Sequence, residues 1–147
     1  MKIIGRSDKA DFPELSLSDI DVKIDTGAYT SSLHSHKIKE FELDGEKYVC
    51  FQILDPSHPQ YQEKEYKTKR FKKKLVKNSF GESEERFIVE TIIVLFGEEY
   101  PIYLSLSERS DMKFPILIGR RLLNRRFMVD SSKTNLSYRQ KRKNKKS

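Results

Sequence analysis

A single cysteine, Cys50, excludes an internal disulfide and fits a reducing compartment. Tryptophan is absent. No stretch approaches the roughly 18–20 apolar residues that a membrane span requires. The opening Met1-Lys2-Ile3-Ile4-Gly5-Arg6 holds no apolar run long enough for a signal peptide. There is no Cys-x-x-Cys or His-Glu-x-x-His pattern, no glycine-rich phosphate loop and no internal repeat. These absences predict a soluble, cytoplasmic protein without a bound cofactor or structural metal.

What is present is charge and strand-forming residues. Hydrophobic residues make up 36% of the 147 and charged residues 35%, so one domain with a heavily charged surface is expected. The net charge of +7 is uneven, because the segment Arg139–Ser147 carries six positive charges and no acid. It reads as a basic, solvated, unstructured tail to a domain spanning 1–138. A second basic run, Lys64 to Lys77, sets eight Lys or Arg residues against Glu65 alone. Either run could attract phosphate or acidic peptides.

The periodicity is that of strands. Ile20, Val22 and Ile24 alternate with Asp21, Lys23 and Asp25, which puts the apolar set on one face. Tyr48–Leu54 follows an Asp44-Gly45 turn, and Glu85–Phe96 and Tyr100–Leu106 flank Gly97-Glu98-Glu99 as a hairpin. The polar stretch from Asp55 to about Lys74 reads as a long loop or edge excursion. Pro115–Ile118 is a short apolar strand ending at Gly119, and Arg120–Asn124 suits one helical turn. Phe127–Val129 and Asn135–Tyr138 close the domain, with no helix beyond about two turns expected. The class is all-β, a barrel or sandwich.

Within this frame Ile24-Asp25-Thr26-Gly27-Ala28 carries the chemistry. An acid stands at the end of an apolar strand, followed by a small hydroxyl residue and a glycine that lets another backbone approach. A carboxylate so placed can face a second carboxylate and share one proton with it. The same tripeptide also serves as a plain turn after a strand. His34 and His36 alternate on a strand and could offer two metal ligands, too few for a closed site.

Late in the chain, Phe114-Pro115-Ile116-Leu117-Ile118-Gly119-Arg120-Arg121-Leu122-Leu123 joins an apolar strand, a glycine and a helical turn. Together with the Asp-Thr-Gly loop it resembles the two-part signature of retropepsin-like aspartic peptidases. The resemblance narrows to the bacterial and archaeal family labelled ATP-dependent zinc proteases and associated with ATP-grasp peptide ligases. Ile4-Gly5-Arg6, Thr30–His34, Asn78–Gly81 with Glu85-Arg86, Leu106–Met112 and Phe127–Asp130 carry it as well. It implies a closed, barrel-like acid-protease fold with one short helical turn near the C-terminus. It also implies a homodimer in which Asp25, with Thr26 and Gly27, supplies half of a catalytic pair.

Further roles follow from the resemblance alone. Thr26 would bond across the dimer axis, and Ala28 would line the floor. Asn78, Ser79, Phe80 and Gly81 would form a flap tip over the substrate. Leu117, Ile118, Gly119 and Arg120 would support the acid loop, Arg120 through an ion pair. Retroviral enzymes place an acid after the residue matching Ala28, whereas this chain has Tyr29, so the partner of Arg120 stays open. The expected activity is peptide-bond hydrolysis, with acidic, glutamate-rich or ligase-modified tails as substrates. A non-catalytic module bound to RNA or the ribosome and a zinc-dependent peptidase are the alternatives.

Overall fold

The computed structural model describes residues 1–77, 80–108 and 113–145. Strands β1 (Lys2–Ile4), β2 (Ser7–Phe12), β3 (Leu17–Ile24), β4 (Ser31–Leu43) and β5 (Glu46–Ile53) come first. They are followed by β6 (Glu65–Thr68), β7 (Phe71–Lys77), β8 (Ser83–Leu95), β9 (Glu98–Ser107) and β10 (Ile116–Ile118). Helix α1 (Arg120–Leu123), strand β11 (Phe127–Val129) and helix α2 (Leu136–Lys145) complete the chain. No helix among the described residues is long and apolar enough to cross a membrane.

Six strands close a barrel in the order β10-β3-β2-β8-β9-β4, and β4 returns to β10. In β3, Ile20, Val22 and Ile24 are buried while Asp21 and Lys23 face out, the alternation their sequence demands, and Leu17 is buried beyond an irregularity in the β2–β3 register. Leu33, Ile93, Leu104, Ile116 and Ile118 meet them inside, each fully buried. Burying such a side chain contributes about 1.5–3 kcal/mol, so the barrel can carry polar loops at its rim. Two hairpins are set by local geometry. Asp44-Gly45 (φ 52° and 78°) and Phe96-Gly97 (φ 53° and 73°) each occupy the left-handed region at both central positions. That conformation matches the strand twist and fixes the registers Leu43 with Glu46 and Leu95 with Glu98.

The segment 55–74 is less open than its composition implies: β6 pairs with β5, and β7 begins at Phe71 and pairs with β8. β1 and β11 form a separate parallel pair at the barrel end. Gly5, just after β1, has no room for a side chain, since a Cβ there would lie 2.2 Å from the Lys133 carbonyl oxygen. Gly5→Ala is expected to destabilise the fold by about 1–3 kcal/mol, measurable by urea denaturation.

The C-terminal region departs from the sequence expectation. Asn135–Tyr138 do not form a strand, and the basic segment does not stand off as a solvated tail. Residues 136–145 form α2, which crosses the proposed 138/139 boundary and exceeds two turns. Its anchors are polar, so apolar periodicity could not reveal them. The fully buried Asp8 carboxylate accepts the N–H groups of Ser137 (2.9 Å) and Tyr138 (3.1 Å), capping the helix start. The Ser137 hydroxyl accepts the Phe96 N–H at 2.8 Å. Lys141 donates to Asp11 at 2.8 Å and to Asp19 at 2.7 Å. Burial pushes the Asp11 carboxyl up, but Lys141 and the Asp19 N–H outweigh it and hold it below the usual carboxylate range. A lowered carboxylate stabilises the fold above its unfolded pKa of about 4 and loses that contribution as pH falls through its folded value. Lys141→Gln is therefore expected to cost about 1 kcal/mol near neutrality and almost nothing well below pH about 4. Amide exchange of 139–145 in the two proteins would read the difference.

Candidate active site

Residues 25–30 link the end of β3 to the start of β4 at the barrel rim. The loop is fixed at its root, because the Asp25 N–H donates to the Ile118 carbonyl at 2.8 Å and the Ile24 N–H to Arg6 at 2.9 Å. Beneath it runs the β10–α1 junction. The first N–H groups of a helix have no partner inside that helix. In α1 two of them serve the loop: Arg120 donates to the Ala28 carbonyl at 2.8 Å and Arg121 to the Tyr29 carbonyl at 2.9 Å. Gly119 makes this approach possible, since a Cβ there would sit 2.6 Å from the Tyr29 oxygen and 2.9 Å from the Ala28 oxygen. Its own N–H donates to the buried Ser31 hydroxyl at 2.9 Å. Ser31→Ala leaves that N–H unsatisfied and is expected to cost about 1–3 kcal/mol, read by thermal denaturation.

Asp25 is half-buried, and its Oδ1 accepts the Gly27 N–H at 3.0 Å, which orients the carboxylate. Asp25 opens into a cleft of about 300 Å³. Ala28, Ser32 and Leu117 line the cleft on the loop and barrel side, and Lys74, Arg86 and Ile88 line it from the β7–β8 hairpin. Asp25 is the only acid among the described residues that line it.

The structure brings together most of the residues singled out in the sequence. Asp25, Ala28 and Leu117 line the cleft, while Thr26 and Gly27 stand exposed at the loop. Ile118 and Gly119 lie under the loop. Arg120 holds the loop through a different contact from the ion pair expected. Its guanidinium donates to the Thr26 carbonyl at 2.9 Å and lies 5.9 Å from the Tyr29 ring centroid. No carboxylate is recorded within ion-pair distance of it among the described residues. Tyr29, standing where an acid occurs in viral enzymes, thus gives Arg120 an aromatic face. Phe80, 87% exposed, and Gly81, at φ 81°, belong to the turn between β7 and β8 and are not among the cleft-lining residues. Asn78 and Ser79 lie outside the described residues.

Three further contributors had no site role in the sequence reading, although Ser31 and Arg86 stand in segments that carry the resemblance. Ser31 bonds Gly119, and Lys74 and Arg86 face the cleft. The strand pairing that places Lys74 opposite Arg86 is the signal that identifies them. His34 is committed elsewhere: Nε2 lies 2.9 Å from Asp55 and Nδ1 3.3 Å from the Ser107 carbonyl. Ser57, and then His34, hold the Asp55 carboxyl below its ordinary range. His36 stacks on Tyr61. Among the described residues no group of three or more His, Cys, Asp or Glu side chains is placed to hold a metal ion.

Comparison with known proteins agrees with this architecture. A crystal structure of a DUF785 protein of unknown function from Legionella pneumophila superposes with a TM-score of 0.67. It is 26% identical, and the match covers 92% of this chain and 98% of that one. Two relatives bear the name "Probable alpha-L-glutamate ligase". The one from Desulfotalea psychrophila is 36% identical over 133 residues, covering 88% of this chain and 28% of its own length. The other, from Shewanella pealeana, is 32% identical over 136 residues, covering 90% and 29%. The chain therefore spans less than a third of these relatives' length. The profile of the RimB-like family, described as retropepsin-like aspartic endopeptidase RimB, matches residues 3–140. With the acid loop seated on the β10–α1 junction of a closed barrel, the chain belongs to the RimB-like family of retropepsin-like aspartic endopeptidases.

Proposed function

We propose that the chain is an aspartic peptidase whose active unit is a homodimer, each protomer contributing Asp25 to one shared site. The observation that carries this reading is the doubly anchored acid loop, which presents one carboxylate at the mouth of a cleft. One chain offers one such group, and a twofold axis supplies the second. Two carboxyl groups a few Å apart cannot both ionise, so they share a proton and titrate as a unit. One takes a proton from the attacking water while the other donates to the carbonyl oxygen of the peptide bond. Thr26 and Gly27, exposed in the single chain, suit contact with the partner loop. Ile3 and Met128, adjacent on β1 and β11 and more than half exposed, suit an apolar subunit contact.

The substrate we propose is an acidic peptide, such as a glutamate-rich tail made by a ligase of the ATP-grasp class. Two features support it: relatives bearing glutamate-ligase names, and the cations of the β7–β8 hairpin beside Asp25. Incubation with glutamate-rich peptides, followed by mass spectrometry, tests the activity. Products that form with the parent chain and not with Asp25→Asn support the reading, and equal turnover by both defeats it. A second reading, RNA or ribosome binding, is favoured by the basic character of α2, which carries Arg142, Lys143 and Lys145 in its last turn. It requires steeply salt-dependent RNA binding that Asp25→Asn leaves unchanged.

A further inference from the structure

The β7–β8 register places Lys74 directly opposite Arg86 on the face that meets the cleft. Like charges facing each other across a strand pair are destabilising, by roughly 0.2–1 kcal/mol. Three other cations of the same basic stretch have acidic partners. Lys73, on the other face of β7, lies 2.9 Å from Glu40, Arg70 lies 3.1 Å from Glu14, and Lys69 pairs with Glu46. The cleft-facing pair is treated differently. Lys74 makes no hydrogen bond or ion pair among the described residues, and Arg86 has only the exposed Glu84 at 3.9 Å. Among the described residues two cations are thus left without close partners beside Asp25, in a recess also lined by Ser32, Ser105 and Ser107.

We propose that Lys74 and Arg86 form a carboxylate-recognition subsite that selects substrates with an acidic group next to the bond to be cut. The proposal rests on the peptidase reading for its consequence, though binding alone can test it. Arg86 offers a planar fork for a carboxylate, and Lys74 adds a compact second charge. A bound carboxylate would relieve the repulsion between the two, so the anion is held more tightly than either cation alone would hold it. The carboxylate could belong to an acidic side chain or to the C-terminus of the peptide, and the two sources are separable.

The test uses the full chain carrying Asp25→Asn, which removes turnover, and three fluorescein-labelled hexapeptides. They are hexaglutamate amide, hexaglutamine amide, and hexaglutamine with a free C-terminus. Anisotropy should show hexaglutamate amide binding about tenfold or more tighter than hexaglutamine amide, equivalent to about 1.4 kcal/mol or more. Lys74→Gln/Arg86→Gln should abolish that preference. Tight binding of free-ended hexaglutamine, lost in the same double variant, would support the subsite and assign it to the chain end. Lys74→Glu/Arg86→Glu should reverse the preference, so that hexaglutamine amide binds more tightly than hexaglutamate amide. In the active chain, the glutamine double variant should raise KM for glutamate peptides about tenfold with kcat little changed, as removal of uniform binding requires. Unchanged binding of hexaglutamate by either folded double variant overturns the proposal. Hydrolysis that survives Asp25→Asn would instead defeat the peptidase reading, while the binding result still decides the subsite.

Discussion

Asp25→Asn is expected to lower kcat on acidic peptides by about a thousandfold or more, while leaving the fold and subunit association intact. General acid–base groups contribute about 10²–10⁴-fold each, and in the proposed homodimer one substitution alters both members of the pair. Asparagine keeps the shape and can still accept the Gly27 N–H that reaches Asp25 Oδ1 at 3.0 Å. The loss should therefore appear in kcat rather than KM, with denaturation midpoints unchanged. The parent chain should show a bell-shaped pH dependence of kcat/KM, because the proposed mechanism requires one proton on the pair. A monotonic profile would contradict a shared proton.

Gly119→Val is expected to damage stability and activity together. The Cβ of any larger residue would lie 2.6 Å from the Tyr29 oxygen, 2.8 Å from its carbonyl carbon and 2.9 Å from the Ala28 oxygen. All three are backbone atoms, so relief requires the acid loop to separate from α1. That movement breaks the Arg120-to-Ala28 and Arg121-to-Tyr29 hydrogen bonds. Overpacking of this kind costs about 1–3 kcal/mol, and each lost hydrogen bond adds about 1 kcal/mol. A displacement of about 1 Å at the acid is enough to reduce turnover about a hundredfold. Urea denaturation together with kcat on the same preparation checks both effects. A variant with normal stability and turnover would show that the junction does not position the loop.

How much of this was legible in the sequence depends on which force places each element. The barrel strands were readable where one face is buried: Ile20, Val22 and Ile24 point inward in the order their spacing dictates. The acid loop and its support were readable because chemistry and steric need coincide, at Asp25 for charge and at Gly119 for room. Helix α2 was not, because Asp8, Asp11 and Asp19 hold it from more than a hundred residues away, through polar contacts with no apolar stripe. The Arg120 contact was misread for a similar reason. A guanidinium bonded to a carbonyl and set over a tyrosine ring leaves no acid to look for in the sequence. Lys74 was hidden within a run of cations and Arg86 behind two acids, and only strand pairing brings the two together on the face of the cleft.

The pairing of Asp25 across two subunits is tested most directly by mixing the parent chain with Asp25→Asn at fixed total concentration after subunit exchange. If both carboxylates are required, only parent–parent pairs act, and peptide turnover falls as the square of the parent fraction. Turnover that falls in simple proportion to that fraction would mean each chain works alone, and the account would be wrong.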